Sequence, residues 1–245
     1  MKLIIDIGNS FTKLAIFDGD EIIDFHIVKK IDIAFLTDVY EKFPEVSSSI
    51  ISSVALHDLS LVDFLSQRGT TIELSQSTPV PFINNYRTPE TLGKDRIAIA
   101  SAAVKLFPSE NVLVVDTGTS ITYDLVTDAG EFIGGGISPG LNMRFKALHN
   151  FTHRLPLIQM NDAEGEINLV GDTTESSILT GVVVGARAEV EGIINQYSSL
   201  YSSLKIIISG GDNKYFEKLV KSNIFAAPNI VVQGLNYILD FNEGK

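Results

Sequence analysis

Asp6, Gly8, Ser10 and Thr12 recur as Asp116, Gly118, Ser120 and Thr122, each 110 positions further along the chain. Each set follows an apolar run, Leu3-Ile4-Ile5 in one case and Val112-Leu113-Val114-Val115 in the other. An Asp leaving the end of a buried strand is placed to meet a metal ion or a metal-bound water. The Gly two residues on lets the backbone approach a phosphate oxygen with no Cβ in the way. Backbone N–H groups and the side chains of Asn9, Ser10, Thr12 and Thr119 add donors for phosphate oxygens. A single Asp-x-Gly segment after a strand is an ordinary turn, since Asp, Gly and Asn are turn formers. Two copies facing each other across a cleft could grip successive phosphates of a triphosphate and fix its direction for in-line transfer.

The surrounding elements also recur. Both copies lead into a hairpin, with Asp18-Gly19-Asp20 as the first turn and Asp128-Ala129-Gly130 as the second. The first half reads as strands Leu3–Ile5, Lys13–Phe17 and Glu21–Val28, then a helix over Asp32–Phe43 with Ile33, Leu36, Val39, Tyr40 and Phe43 on one face. A strand at Ser49–Val54, a short helix at Leu59–Gln67 and a strand at Thr71–Leu74 follow. Prolines and paired asparagines mark Ser75–Pro89 as a loop, and an Ala- and Ile-rich helix over Asp95–Phe107 closes the half before Pro108. The second half reads as strand Val112–Val115, hairpin strands Ser120–Val126 and Glu131–Ile133, a Gly-rich turn and a helix over Leu141–Asn150. Next come a long helix over Glu175–Ser198, a strand Lys205–Ile208 and a last helix over Val231–Phe241. Gly181 and Gly185 share one face of the long helix, where another backbone could come close.

These patterns predict an α/β chain of two duplicated ribonuclease-H-like domains, 1–110 and 111–245, with a central cleft, the fold shared by actin, sugar kinases and acetate kinases. With 245 residues, 44% of them apolar, each half can bury its own core. The absence of Cys excludes disulfide scaffolds, thiolate metal sites and cysteine nucleophiles. The amino-terminal run meets Asp6 after three apolar residues, unlike a signal peptide, and no apolar run approaches the ~20 residues a bilayer requires. A soluble, cytoplasmic protein is expected. Its net charge of −11 argues against nucleic-acid and membrane partners. Such an acidic chain must concentrate cations locally to handle phosphate, and Lys13, Arg87, Lys94, Arg96 and Arg144 all lie near the motifs.

Taken in order, the motifs resemble those of the type III pantothenate kinase family over nearly the whole chain. Asp6-Ile7-Gly8-Asn9-Ser10 is similar to its first phosphate motif, Gly93-Lys94-Asp95-Arg96 to its Gly-x-Asp-Arg element, and Asp116-Thr117-Gly118-Thr119 to its second phosphate motif. Gly134-Gly135-Gly136-Ile137-Ser138-Pro139-Gly140, with Ala147-Leu148 and Leu155-Pro156, resembles its interface and cleft segment. Thr174 with Gly181 and Gly185 resembles its Asn-Thr-led helix, and Ser209-Gly210-Gly211-Asp212 its adenosine element. The resemblance implies ATP-dependent phosphorylation of the primary hydroxyl of pantothenate, the first step towards coenzyme A. It also implies a homodimer, Mg2+ or a similar divalent ion, and a monovalent cation, K+ or NH4+, near Asp116.

By the same resemblance Asp95 is the general base and a substrate contact. Asp6, Ile7, Gly8, Asn9, Ser10, Phe11, Thr12, Lys13 and Thr119 bind ATP, and Tyr86, Gly93, Lys94, Arg96 and Thr174 bind substrate. The roles suit the chemistry. A hydroxyl nucleophile needs a carboxylate to take its proton, and a planar guanidinium suits a substrate carboxylate or transferring charge. Asp95 and Thr174 could equally cap helices, Tyr86 could simply pack, and Asp116 could fix its own turn. The chain departs from the family pattern at Ser120 (commonly Ala), Thr173 (usually Asn) and Lys94 (often Ala). His57, His149 and His153 lack the spacing of a metal site and read as surface or packing residues, with His153 nearest the cleft. Competing functions are a kinase for another small hydroxyl substrate, an actin-like or chaperone-like nucleotide switch, and a silent regulatory relative.

Overall fold

The structure, a computed structural model, describes residues 1–54, 58–160, 167–216 and 224–244. By packing, the chain divides into two units: Met1–Ser109 with Ala129–Ile133 and Asn229–Lys245, and Glu110–Asp128 with Gly134–Pro228. The C-terminal helix, counted by sequence with the second half, therefore groups with the first unit.

The first unit is built on strands β1 (Lys2–Ile7), β2 (Thr12–Asp18), β3 (Glu21–Val28), β4 (Ser48–Ser53) and β5 (Thr70–Glu73), in the order β3-β2-β1-β4-β5. β1 pairs antiparallel with β2 and parallel with β4, so its end, Ile7, lies between Thr12 and Ser53. Leu3, Ile4 and Ile5 are each fully buried, which is why β1 reads as an unbroken apolar run rather than an alternating one. Leu3 and Ile5 join Leu14, Ile16, Ile51 and the helices α1 (Ile33–Lys42) and α2 (Leu59–Ser66) in one core. Asp32 caps α1 by accepting the Phe35 N–H at 2.8 Å. Against the sheet also lie α3 (Lys94–Leu106) and α7 (Ile230–Glu243).

Every residue from Arg96 to Ala103 of α3 is buried, the pattern of a helix covered all round. Its alanines let α7 come unusually close. A Cβ at Gly234 would overlap the carbonyl of Ala98, a backbone group with no freedom to swing aside.

The second unit repeats the plan. Strands β7 (Val112–Thr117), β8 (Ser120–Val126), β9 (Glu131–Pro139, counted with this unit from Gly134), β10 (Lys205–Ser209) and β11 (Ile224–Ala226) run in the order β9-β8-β7-β10-β11, with β7 antiparallel to β8 and parallel to β10. Helices α4 (Leu141–Asn150), α5 (Thr174–Leu179) and α6 (Gly185–Leu200) pack with these strands around Leu113, Val115, Tyr123, Phe145, Val183, Val190 and Ile208.

Three sequence expectations are corrected. Gly134–Gly136 is not a turn: it lies inside β9, where a Cβ at Gly135 would overlap the carbonyl of Tyr123 on β8. The Ser75–Pro89 loop contains a short strand, β6 (Ile83–Asn84), paired in parallel with Glu131 and Phe132 at the start of β9. The long helix is interrupted by a π turn at Thr180–Val184, separating α5 from α6. The two hairpin turns are where expected, with Gly19 and Gly130 at positive φ of 60° and 72°. Among the described residues, no helix is long and apolar enough to cross a membrane.

A charged network ties the second unit together. Glu189 on α6 accepts the Tyr123 hydroxyl at 2.9 Å and Arg144 Nη2 at 2.6 Å. Burial alone would raise the Glu189 carboxyl, but hydrogen bonds from Arg144, Ser138 and Tyr123 outweigh it and hold the group below its ordinary range. Burial, and then the bond to Glu189, pushes the Tyr123 hydroxyl well above its ordinary value, so it remains a donor.

Two outcomes follow from this packing. Gly234→Ala must force α3 and α7 apart and should cost about 3 kcal/mol, read as a lowered denaturant midpoint at unchanged m-value. Glu189 has a depressed native pKa, so its stabilising share is complete above its unfolded value, near pH 4.5, and fades as pH falls through the lower native value. The Tm gap between wild type and Glu189→Gln should therefore be widest near neutral pH and shrink in acid; a gap that widens in acid contradicts the assignment.

Candidate active site

The first loop hangs from the ends of β1 and β2. Ile7 and Thr12 are the last paired residues, so Gly8–Phe11 form a four-residue connection, closed by the Gly8 N–H donating to Phe11 O at 3.0 Å. Asn9, Ser10 and Phe11 are exposed and Thr12 is buried. Asp6, 8% exposed, lies directly across the strand pair from Lys13 and beside Ser52 of β4. The carboxylate and the ammonium are thus on one face of the sheet, at the edge of a loop rich in donors.

The second loop is one residue tighter. Thr117 pairs with Ile121, leaving Gly118–Ser120 as the connection, with the Gly118 N–H donating to Ser120 O at 3.0 Å. Pairing places Thr122 opposite Asp116, where the first unit has Lys13 opposite Asp6. The match of Thr12 with Thr122 seen at constant sequence offset is therefore not a match of position in the hairpin. The structural counterpart of Lys13 is the neutral, buried Thr122.

Neighbouring segments press on the second loop from two sides. Parallel pairing sets Ser209 beside Asp116, and the Thr117 hydroxyl donates to Ser209 O at 2.7 Å. The chain then turns at Gly210, φ +98°, where a Cβ would overlap Thr117, and the Asp212 N–H donates to Thr117 O at 2.9 Å. From the end of β9, the Gly140 N–H donates to Thr119 O at 3.2 Å, and a Cβ there would overlap the carbonyl of Gly118. Burial raises the Asp212 carboxyl above its ordinary value, with Lys214 opposing. Gly140 and Asp212 thus shape this turn, which their short motifs alone do not reveal.

Gly93 stands immediately before α3, and Asp95 in the helix's first turn is half-buried. Asp95 Oδ1 accepts the Arg96 N–H at 2.8 Å, and it folds back so far that a Cβ at Gly93 would overlap it. Arg96 is 4% exposed, its guanidinium 5.3 Å from the Tyr86 ring centre and 5.6 Å from that of Phe132. Tyr86 also packs on Phe132 at 6.0 Å, so the expected packing role and the expected place beside Asp95-Arg96 coincide. Phe132, drawn in by β6 pairing with β9, carried no sequence signal for this cluster.

Thr173, not Thr174, caps α5. Its hydroxyl accepts the Ser176 N–H at 3.1 Å, and Ser176 returns a capping-box contact to the Thr173 backbone. Thr174 stands exposed at the first helical position, relieved of that task. Among the other candidates, Lys94 is half-buried and Arg87 exposed, whereas Arg144 is engaged by Glu189 and by Pro139 O. His149 Nδ1 lies 2.9 Å from Leu155 O, a packing contact, and His153 is exposed; His57 lies outside the described residues. Among the described residues no group of three or more His, Asp or Glu side chains is placed to hold a metal.

Residues 2–196 match the family model described as type III pantothenate kinase. A type III pantothenate kinase of Christiangramia forsetii is 44% identical over 244 residues, covering 99% of both chains. The solved structure of a Baf family protein from Campylobacter jejuni is 20% identical, covers 99% of this chain and 100% of its own, and superposes with a TM-score of 0.62. A ROK family protein from Streptococcus pneumoniae, solved with sucrose, is 12% identical over 99% of each chain with a TM-score of 0.51, a likeness of fold alone. The two sheets with one strand order and these neighbours establish an α/β actin-like ATPase fold. A motif series in the family's order, relatives of this identity at full length and a matching family model lead to one conclusion: the chain belongs to the type III pantothenate kinase family.

Proposed function

We propose that this chain transfers the γ-phosphoryl group of ATP to the primary hydroxyl of pantothenate, with Asp95 as general base. The observation that carries the reading is the Gly93–Arg96 turn, which sets a half-buried carboxylate one residue from a guanidinium pinned by two aromatic rings. Asp95 accepts the hydroxyl proton as the hydroxyl oxygen bonds to the γ-phosphorus. The bond from that phosphorus to the β–γ bridging oxygen breaks, and ADP leaves. Tyr86, Gly93, Lys94, Arg96 and Thr174 are assigned to the substrate, with Arg96 taking its carboxylate or the transferring charge.

Asp6 through Lys13 and Thr119 take the phosphates of ATP, with Lys13 supplying positive charge at a loop of neutral donors. A divalent ion of the Mg2+ class fits the donor set. Such ions keep several waters and bind through one or two carboxylates plus substrate phosphates, so a cage of three protein ligands is not required. Asp6 would hold it through water, and when bound it offsets charge on the phosphate oxygens. Asp116, whose Oδ2 would stand 3.8 Å from a Cβ at Gly118, is assigned to a monovalent cation. We also assign a cytoplasmic homodimer. In support, among the described residues nothing outside their own helix lies within 4 Å of where a Cβ would stand at Gly181 or Gly185, an open small-residue face for a second backbone.

Purified protein with ATP, Mg2+ and pantothenate should form ADP only when all three are present. Turnover indifferent to pantothenate would instead favour the nucleotide-switch reading. Asp95→Asn should lower kcat by about 10²-fold or more with nucleotide binding retained. Gly93→Ala asks only a flexible carboxylate to move, so kcat should fall by about tenfold while Tm hardly changes. Unimpaired transfer in both variants would remove Asp95 from the role of base.

A further inference from the structure

Glu189 belongs to none of the phosphate or substrate motifs, yet it joins two segments that flank the second loop. One carboxylate oxygen accepts the hydroxyl of Tyr123, which stands on β8 three residues beyond Ser120, where the loop closes. The other accepts Arg144 Nη2. The same guanidinium meets Ser138 Oγ at 2.8 Å through Nη2 and donates from Nε to Pro139 O at 2.8 Å. The next residue, Gly140, is the one that bonds Thr119 O and presses on the Gly118 carbonyl. A continuous line of short polar contacts thus runs from α6 to the turn, and a second arm reaches β8. Two residues earlier on α6, Arg187 Nε donates to Tyr215 O, beside the Ser209–Asp212 segment that closes the loop from its other side.

We propose that Glu189 is a positioning residue for the Gly118–Thr119 turn, acting through Arg144 and the Ser138–Gly140 segment to set the affinity for the adenine nucleotide without touching either substrate. The proposal rests on the assignment of Thr119 to ATP. A carboxylate is suited to the task because its two oxygens accept from two directions at once. A guanidinium in the middle converts one of those bonds into a two-point grip on the strand end. A side chain that merely stapled the core would alter stability without discriminating between the two substrates.

The test compares Glu189→Ala, Glu189→Gln, Tyr123→Phe and Arg144→Met with wild type, measuring KM for ATP, KM for pantothenate, kcat and MgADP affinity by calorimetry. Glu189→Ala should raise KM for ATP and weaken MgADP by about tenfold, leaving KM for pantothenate within about twofold. Glu189→Gln, which keeps one acceptor, should recover part of the loss. Arg144→Met combined with Glu189→Ala should be little worse than either alone, since both cut one line of contacts. If Glu189→Ala does not fold, Glu189→Gln and Tyr123→Phe decide, each by the same selective rise in KM for ATP. Equal shifts in both KM values, or none, overturn the proposal. Thr119→Ala, run alongside, separates the two failures. If it weakens MgADP while the Glu189 variants do not, only the positioning role falls; if it too has no effect, the ATP assignment of the loop falls with it.

Discussion

The arrangement of the second loop depends on one constraint, the pressing of two foreign backbones against three successive carbonyls. Thr117 O accepts from Asp212, Thr119 O accepts from Gly140, and Gly118 O lies under the Cα of Gly140. Carbonyl oxygens repel phosphate. These three are turned into protein, which suits the loop's proposed place beside an anion. Only glycine permits both approaches, at Gly140 for want of room and at Gly210 for want of room and for its positive φ. Parallel pairing of β7 with β10 makes the meeting unavoidable, since it delivers Ser209 and the turn after it to the side of Asp116.

The first loop, raised on a sheet of the same strand order, solves a different problem. One extra residue in the connection moves Lys13 into register with Asp6. The second loop has Thr122 there and no charge. In a chain of net charge −11 a triphosphate meets a repulsive field, so a cation fixed at one loop matters more than it would in a basic protein. Duplication thus supplied two similar turns, and a single-residue difference in loop length sets them apart: a lysine stands opposite the Asp of the first and a threonine opposite the Asp of the second.

Much of this was legible because the signals are local. Leu3–Ile5 and Val112–Val115 are apolar without interruption because strands buried on both faces need no polar alternation, and Asp32 announces α1 because its side chain caps that helix. What escaped notice is set by distant partners. Three glycines in a row carry the composition of a turn, and only the nearness of Tyr123 makes them strand. Two residues at Ile83–Asn84 are too short to show a period, and the π turn at Thr180–Val184 lies within an otherwise helical pattern. In the site, Asp95 and Arg96 stood out by chemistry. Phe132 and Glu189 did not, because their importance arises from contacts 36 and 66 residues away in the chain, to Arg96 and Tyr123.

The departures from the family pattern are best judged by which atom of each residue is used. At Thr173 the task is to accept a backbone N–H at the start of α5, and a threonine hydroxyl does what an asparagine amide oxygen would, with a second hydrogen bond through Ser176. The exchange leaves Thr174 in the same first helical turn and free of capping, the condition under which it can serve a ligand. At Ser120 the loop uses the carbonyl, as acceptor for Gly118, so the side chain in place of alanine is incidental to the turn. Lys94 differs in kind. Its side chain is half-buried in the first turn of α3, so the exchange adds a long stem and a positive charge next in sequence to the proposed base while keeping the backbone that holds it.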